Sequence, residues 1–253
     1  MKEERGKVLS IVTVSYNSEK TIEKTLKSVL NQTFTKYEYI LVDGNSTDNT
    51  NKIIQSYRCE FENKGIDFIH LVEKDDGIYD AMNKGIKLSN GRWINFMNSD
   101  DTFSDNRVLE KLFSSEFKDV DVIYGNENRV NKKSQVINKA NRDIKELEKV
   151  MFMCHQSTFV KTELLKKNNF DTKYKICSDY DNLLKLYLSG KKFKYIDLTV
   201  CNYSVEGTSN MNYYNTALEN YEIRKKYQLI NMCELEMKAR SLFFKFKHRW
   251  INK

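Results

Sequence analysis

Four apolar runs rich in β-formers constrain the chain most: VLSIVTVS at 8–15, YEYILVD at 37–43, IDFIHLVE at 66–73 and RWINFM at 92–97. Most are too continuous to lie half-exposed, and a fifth run, DVDVIY at 119–124, behaves in the same way. Helical patterns lie between them. Ile22, Leu26, Val29 and Leu30 recur at helical spacing after Ser18, Ile53 and Ile54 follow the N-cap candidates of GNSTDNT, and GIYDAMNKGIKLS and NRVLEKLF supply a third and a fourth helix. Strands alternating with helices predict the α/β class, with a mainly parallel central sheet covered on both faces.

The runs end in polar clusters: Ser15-Tyr16-Asn17, Asp43-Gly44-Asn45, Glu73 to Asp76, and Asn98 to Asp101. In a parallel sheet these ends share one rim, where ligands of such sheets bind. The second half is less regular. It contains a strand at 134–139, a helix from about Asp143, the segment MFMCHQSTFV, helices near 162–168 and from Ser178 to Leu188, and a strand at 192–203. With no repeat or linker, the expected organisation is one domain over 1–210 and a helical extension over 211–253.

Six of the seven net positive charges lie between Lys238 and Lys253, a stretch without acids, so the body is nearly neutral. That argues against a broad nucleic-acid surface. Leu235, Ala239, Leu242, Phe243, Phe246 and Trp250 give the tail an apolar face at helical spacing. Such a helix either lies in the interface of an anionic membrane or packs on the domain or on a second copy. Five cysteines without a C-x-x-C pair predict neither a disulfide framework nor a zinc knuckle, and fit a reducing cytoplasm. The N-terminus lacks the pattern of a signal peptide, and no stretch reaches transmembrane length.

No phosphate-binding glycine loop is present, and SYNSEK follows the first strand where G-x-G-x-x-G would stand. A cation held by carboxylates is the alternative, because Mg2+ or Mn2+ joins hard oxygen ligands to a diphosphate. Asn98 and Asp100 place two oxygen-bearing side chains on one side of an extended backbone. Asp101, Ser104 or Asp105 instead suits a cap for the next helix. In CSDYDNLLKLYLSG, Ser178 and Asp181 have capping-box spacing, which puts Asp179 in the first helical turn, where a carboxylate complements the helix dipole.

Taken in order, SIVTVSYNSEKTIEKTLKSVLNQTF, YILVDGNSTDNT, EKDDGIYDAMNKGI, WINFMNSDD, HQSTFVKTELL and CSDYDNLLKL closely resemble the family-2 glycosyltransferases from about Leu9 to Tyr203. GIYDAMNKGI is most similar to the branch that builds bacterial surface polysaccharides. The resemblance implies a single Rossmann-like nucleotide-diphospho-sugar transferase domain of the A-type glycosyltransferase fold. It implies that Thr13, Ser15 and Asn17 line a nucleoside pocket, that Asp43 hydrogen-bonds the base, and that Asp76 and Lys84 belong to a segment closing over the nucleotide. An Asx turn with Gly44 is equally compatible with Asp43.

Asn98 stands where the family's Asp-x-Asp begins, offering a carbonyl oxygen or a bond to the ribose. Asp100 is the implied ligand of Mn2+ or Mg2+, and Asp101 its supporting neighbour. Asp179 matches the general base, with Ser178 replacing the Glu that usually precedes it. A helix N-terminus lowers the pKa of that base, whereas burial raises it. His155 contacts acceptor, diphosphate or metal, or is a satisfied structural histidine. YSVEGTSN at 203–210 resembles a loop over the donor, hinged at Gly207. The implied reaction is an inverting, metal-dependent transfer from a nucleotide sugar, with a UDP-sugar expected first, to a hydroxyl of a glycan. A lipid-linked acceptor is expected, and at the inner face of a membrane it would give the membrane reading of the tail a functional sense. A catalytically silent sugar-nucleotide or glycan-binding module is the alternative.

Overall fold

The computed structural model describes residues 7–131, 134–204 and 213–230. Its first half runs β1 (Leu9–Ser15), α1 (Ile22–Leu30), β2 (Tyr37–Asp43), α2 (Thr50–Ser56), α3 (Arg58–Asn63), β3 (Asp67–Val72), α4 (Ile78–Leu88) and β4 (Trp93–Phe96). These four strands lie parallel in the order β3-β2-β1-β4. Ser15 is in register with Asp43, Asp43 with Val72, and Val12 with Phe96. The polar clusters therefore do meet on one rim.

The second half adds β5 (Thr102–Phe103), α5 (Val108–Leu112), β6 (Val122–Val130), β7 (Gln135–Asn138), 3-10 turns at Ile144–Glu148 and His155–Ser157, β8 (Thr158–Lys161), α6 (Thr162–Lys167), α7 (Ser178–Leu188), β9 (Phe193–Ser204) and α8 (Tyr213–Lys226). β8 pairs antiparallel with both β4 and β6, and β6 then runs parallel to β9. Most registered pairs remain parallel, as expected. The helix expected from Asp143 is instead a 3-10 turn, whose first N–H groups include that of Lys145 donating to Asp143 Oδ1 at 3.0 Å. β5 was not anticipated, being only two residues long. The stretch 211–253 is described only as far as Ile230, and the basic tail after it lies outside the described residues, as do 205–212 with Gly207.

Alternation along the strands distributes side chains to two cores. Val12, Val14, Ile40, Val42, Ile94 and Phe96 meet Met82 and Ile86 of α4 on one face. Leu9, Ile11, Tyr39, Leu41 and Trp93 meet Leu26 of α1, Ile54 of α2 and Leu109 of α5 on the other. Burial on both faces explains why these runs read as nearly continuous apolar sequence. α4 approaches β1 so closely that a Cβ at Gly85 would lie 2.4 Å from Val12 Cγ1.

At the opposite end of the sheet, Glu38 is completely buried and accepts from Ser10 Oγ (2.7 Å), Gly91 N (3.1 Å) and Lys7 Nζ (3.0 Å). Burial alone would raise its pKa, but Ser10, the Asn90 N–H and Lys7 together hold it below the ordinary 4.5. A depressed carboxylate contributes stability that is present above its unfolded pKa and lost as pH falls through the folded one. Glu38→Gln should cost about 2 kcal/mol at pH 7. In chemical denaturation the difference from wild type should shrink as pH drops from 5 towards 3.

Candidate active site

At the β1–β2 end of the rim the polar residues first bind one another. Asp43 is buried, and its carboxylate accepts from Ser15 Oγ (2.8 Å), Ser46 N and Oγ (both 2.7 Å) and Asn51 Nδ2 (2.9 Å). Asp43 thus closes on the N–H three residues on, at Ser46, and not on the residue two positions on as an Asx turn would. Asn17, at φ +47°, accepts from Thr47 N at 2.9 Å and donates its own N–H to Ser46 Oγ at 2.8 Å. The result is a rigid collar joining the ends of β1 and β2. Thr13 lies below it, buried, with Oγ1 donating to Met97 O at 2.6 Å. Above it Tyr16 is 62% exposed, more than any other large apolar side chain among the described residues.

The β4 end carries a second arrangement. Met97 N still reaches Val12 O at 2.9 Å, and the chain then turns over the end of β1, held by Thr25 Oγ1 donating to Asp101 O at 2.7 Å. Asn98 Nδ2 meets His155 Nε2 at 2.8 Å, and His155 Nδ1 meets Asp179 Oδ2 at 2.9 Å. Donation from the amide leaves Nε2 as acceptor, so this pattern puts the neutral ring's proton on Nδ1, directed to Asp179. Asp179 Oδ1 also accepts from Tyr180 N at 2.9 Å, and it lies 2.9 Å from Tyr79 OH, whose one proton it shares with Ile176 O at 2.6 Å. Burial pushes the Asp179 pKa up, but His155, Tyr79 and the Tyr180 N–H outweigh it, so the carboxylate is held below its ordinary value. Of the two opposed effects expected from sequence, the lowering one prevails, and side-chain donors are its main source.

Two oxygens of this turn fit a hard cation. Among the described residues Asn98 Oδ1 is buried without a partner and no side-chain donor reaches the Asp100 carboxylate, whose pKa burial raises although Lys24 opposes the shift. Among the described residues no cluster of three or more His, Cys, Asp or Glu could hold a metal unaided. That suits an ion that keeps waters and takes other oxygens from a diphosphate.

Asp101 is not a helix cap. It is 1% exposed and joins three elements, accepting from Gln156 Nε2 (2.6 Å) and from Ser204 N at the end of β9 (2.8 Å). Burial and the adjacent Asp100 push its pKa up to about 7. Asp105 does not cap α5 either: it accepts from Arg107 N at 2.7 Å, and Arg107, the N-cap, makes no side-chain cap bond. The capping box expected at α7 is also absent: Ser178 Oγ donates to Asp171 O, and Asp181 pairs with Lys226 Nζ at 2.8 Å. Glu219 of α8 instead accepts from Lys175, Ile176 and Cys177 N.

Of the site residues expected from sequence, Asn98, His155 and Asp179 come together, with Asp100 beside them in the same turn, and Ser15, Asn17 and Asp43 form the collar. Asp76 is exposed, and its carbonyl accepts from Lys175 Nζ at 3.3 Å. Lys84 is occupied by Glu73 (2.8 Å), Asp80 (3.5 Å) and Lys74 O (2.6 Å), so it tethers the segment before α4. Tyr16, Tyr79, Gln156 and Glu219 were not anticipated. Only Tyr16 carried a signal, as an aromatic between two polar rim residues.

Comparison with known proteins gives the family and the fold. The Glycosyl transferase family 2 profile matches residues 10–183, and the chain belongs to that family. A PGL/p-HBAD biosynthesis glycosyltransferase of Mycobacterium bovis is 26% identical over 211 residues, covering 79% of this chain and 78% of the relative. The poly(ribitol-phosphate) beta-glucosyltransferase of Bacillus spizizenii is 31% identical over 73% of this chain, which spans only 30% of that longer protein. S. aureus TarS 1–349 in complex with UDP-GlcNAc superposes with a TM-score of 0.70 at 22% identity, covering 92% of this chain and 69% of that one. The mannosyltransferase PcManGT of Pyrobaculum calidifontis, in complex with GDP-Man and Mn2+, gives 0.68 at 17% identity, covering 92% of this chain and 67% of that one. The fold is thus the A-type glycosyltransferase fold.

Removing one donor from Asp179 gives a direct check on its environment. Tyr79→Phe should destabilise by about 1 kcal/mol at neutral pH. Because the Asp179 pKa is depressed, the charged form that Tyr79 serves is present above about 3.8 and disappears as pH falls through its folded pKa. Denaturation curves of Tyr79→Phe and wild type should therefore converge towards pH 3.

Proposed function

We propose that the protein is an inverting glycosyltransferase that moves a sugar from a nucleotide diphosphate, with a UDP-sugar as the first candidate, to a hydroxyl of a glycan in bacterial surface-polysaccharide biosynthesis. One arrangement carries this reading: Asn98, in the turn of Asp100, is linked through His155 to Asp179 by contacts of 2.8 and 2.9 Å. A diphosphate leaving group and an attacking hydroxyl need opposite kinds of help, and this row has a candidate for each at its two ends. The complexes of TarS with UDP-GlcNAc and of PcManGT with GDP-Man and Mn2+ support a nucleotide-sugar donor and a divalent ion.

In this reading the collar around Asp43 fixes the ends of β1 and β2, and the Tyr16 ring offers a face on which a base stacks. Asn17, Asp76 and Lys84 border the same pocket, Lys84 by holding the 73–77 segment. Asp100 and Asn98 Oδ1 would hold Mn2+ or Mg2+, which when bound neutralises charge on the departing diphosphate. Asp179 accepts the proton of the incoming hydroxyl as the new bond forms. With His155, Tyr180 N and the shared Tyr79 proton on the carboxylate, at least one lone-pair direction remains for that hydroxyl. Its depressed pKa makes it a weak base before attack, so the proton moves only as the acceptor oxygen loses electron density to the anomeric carbon. His155 orients the carboxylate rather than meeting the sugar.

The acceptor is proposed to be lipid-linked and met at the inner face of the membrane. No helix among the described residues is long and apolar enough to cross a membrane. Peripheral contact through the basic stretch 238–253 is the form of association that its composition supports. Catalysis is assigned to residues 1–210, and nucleic acid is not a proposed partner.

The test is UDP release from UDP-GlcNAc and UDP-glucose with and without Mn2+. Asp179→Asn and Asp100→Ala should each reduce turnover at least about 100-fold. Asp100→Ala should also lose the Mn2+-dependent thermal stabilisation by UDP, which Asp179→Asn should keep. Equal turnover in all three proteins would refute the assignment.

A further inference from the structure

Asp179 sits on the second residue of α7, and the segment leading into that helix has no cap of its own. The N-cap Cys177 makes no side-chain cap bond. The three preceding backbone donors are satisfied from a distance. Glu219 accepts from Lys175 N through Oε1 at 2.8 Å, and from Ile176 N and Cys177 N through Oε2 at 2.9 and 2.8 Å. Ile176 is held on its other side as well: the single proton of Tyr79 OH lies between its carbonyl oxygen, 2.6 Å away, and Asp179 Oδ1, 2.9 Å away, so one hydroxyl bridges the two. One peptide, three residues before Asp179, is thus clamped between Glu219 and a ligand of Asp179 itself.

Docking α8 does not by itself require this carboxylate. The helix is also held by Lys226 on Asp181 (2.8 and 3.1 Å), by Arg224 Nε on Glu148 O (3.2 Å) and by the fully buried Ile223. A carboxylate gathering three consecutive N–H groups fixes the backbone that carries them, and bonds to an ionised acceptor are the stronger kind. Displacing a base by about 1 Å is enough to cost on the order of 100-fold in rate.

We propose that Glu219 is a positioning residue for sugar transfer, acting on Asp179 through the 175–177 backbone. This rests on Asp179 as the base. C-terminal helix and catalytic carboxylate then form one mechanical unit.

The test uses the full chain, with His155 as a reporter of Asp179. In protein labelled with 15N-histidine, the ring nitrogens of His155, assigned by their loss in His155→Asn, report the proton on Nδ1. Glu219→Gln should shift these signals away from the Nδ1–H pattern, whereas Glu222→Gln, the same change on an exposed position of α8, should leave them unmoved. With UDP-GlcNAc or UDP-glucose and Mn2+, Glu219→Gln should lower kcat about 10- to 100-fold, with donor KM changed by no more than about twofold. In an Asp179→Asn background it should lower the residual rate no further. If Glu219→Gln does not fold, Glu219→Asp shortens the reach while keeping the charge and is read in the same way. The inference is overturned if either the His155 signals or kcat stay at wild type, or if the two substitutions add independently. Wild-type turnover in Asp179→Asn instead overturns the assignment of the base.

Discussion

β1 is paired in parallel on both sides, with β2 over seven positions and with β4 over four. That difference in length shapes the rim. β1 and β2 end level at Ser15 and Asp43, whereas β4 stops opposite Val12, so the chain after Phe96 must cross the exposed end of β1. Thr25 of α1 holds that crossing by donating to Asp101 O, with Ser18 and Ser99 hydroxyls in contact at 2.9 Å. A tightly held turn can then send neighbouring side chains to different partners. Asn98 goes to His155, Asp101 goes to Gln156 and Ser204, and Asp100 remains without a side-chain donor among the described residues.

The same geometry explains why the cluster of acids at the end of β4 is not one functional unit. Asp101 is structural glue between the turn, the 155–157 segment and the end of β9. Its place in low dielectric beside another carboxylate raises its pKa. Asp179 has the opposite setting, with enough donors to remain charged while mostly buried. The two carboxylates are thus biased towards opposite protonation states: burial and Asp100 outweigh the donors at Asp101, whereas the donors outweigh burial at Asp179. Burial alone does not separate them.

The parallel half was legible in sequence because strands buried on both faces need continuous β-branched and aromatic runs, and their polar ends mark the rim. β5 escaped because two residues carry no period. The turn from Ile144 was read as a regular helix because its start signal, Asp143, serves a 3-10 turn equally well. The site was legible as candidates at Asn98 and Asp100, clustered oxygen donors at a strand end, whereas Asp179 stands out only through the family resemblance, since its local setting reads as a carboxylate on a helix dipole. It was opaque where the role comes from a distant partner. His155 is 24 positions from Asp179, and no periodicity links them. Glu219 is 42 positions from Cys177 on a helix whose apolar face is poorly marked, so nothing in the sequence announced that it completes the entry to α7.

β8 enters the sheet between β4 and β6, antiparallel to both, although more than 50 residues separate it from β4 in the chain. Until it arrives, β4 has an open edge whose Ile94 and Phe96 belong to the core, beside the unfinished site. Such an edge is a template for pairing with other chains. Residues 155–161 supply both the strand that covers this edge and the histidine that meets Asn98. Concealment of the sticky edge and assembly of the Asn98–His155 contact therefore depend on one short segment of chain.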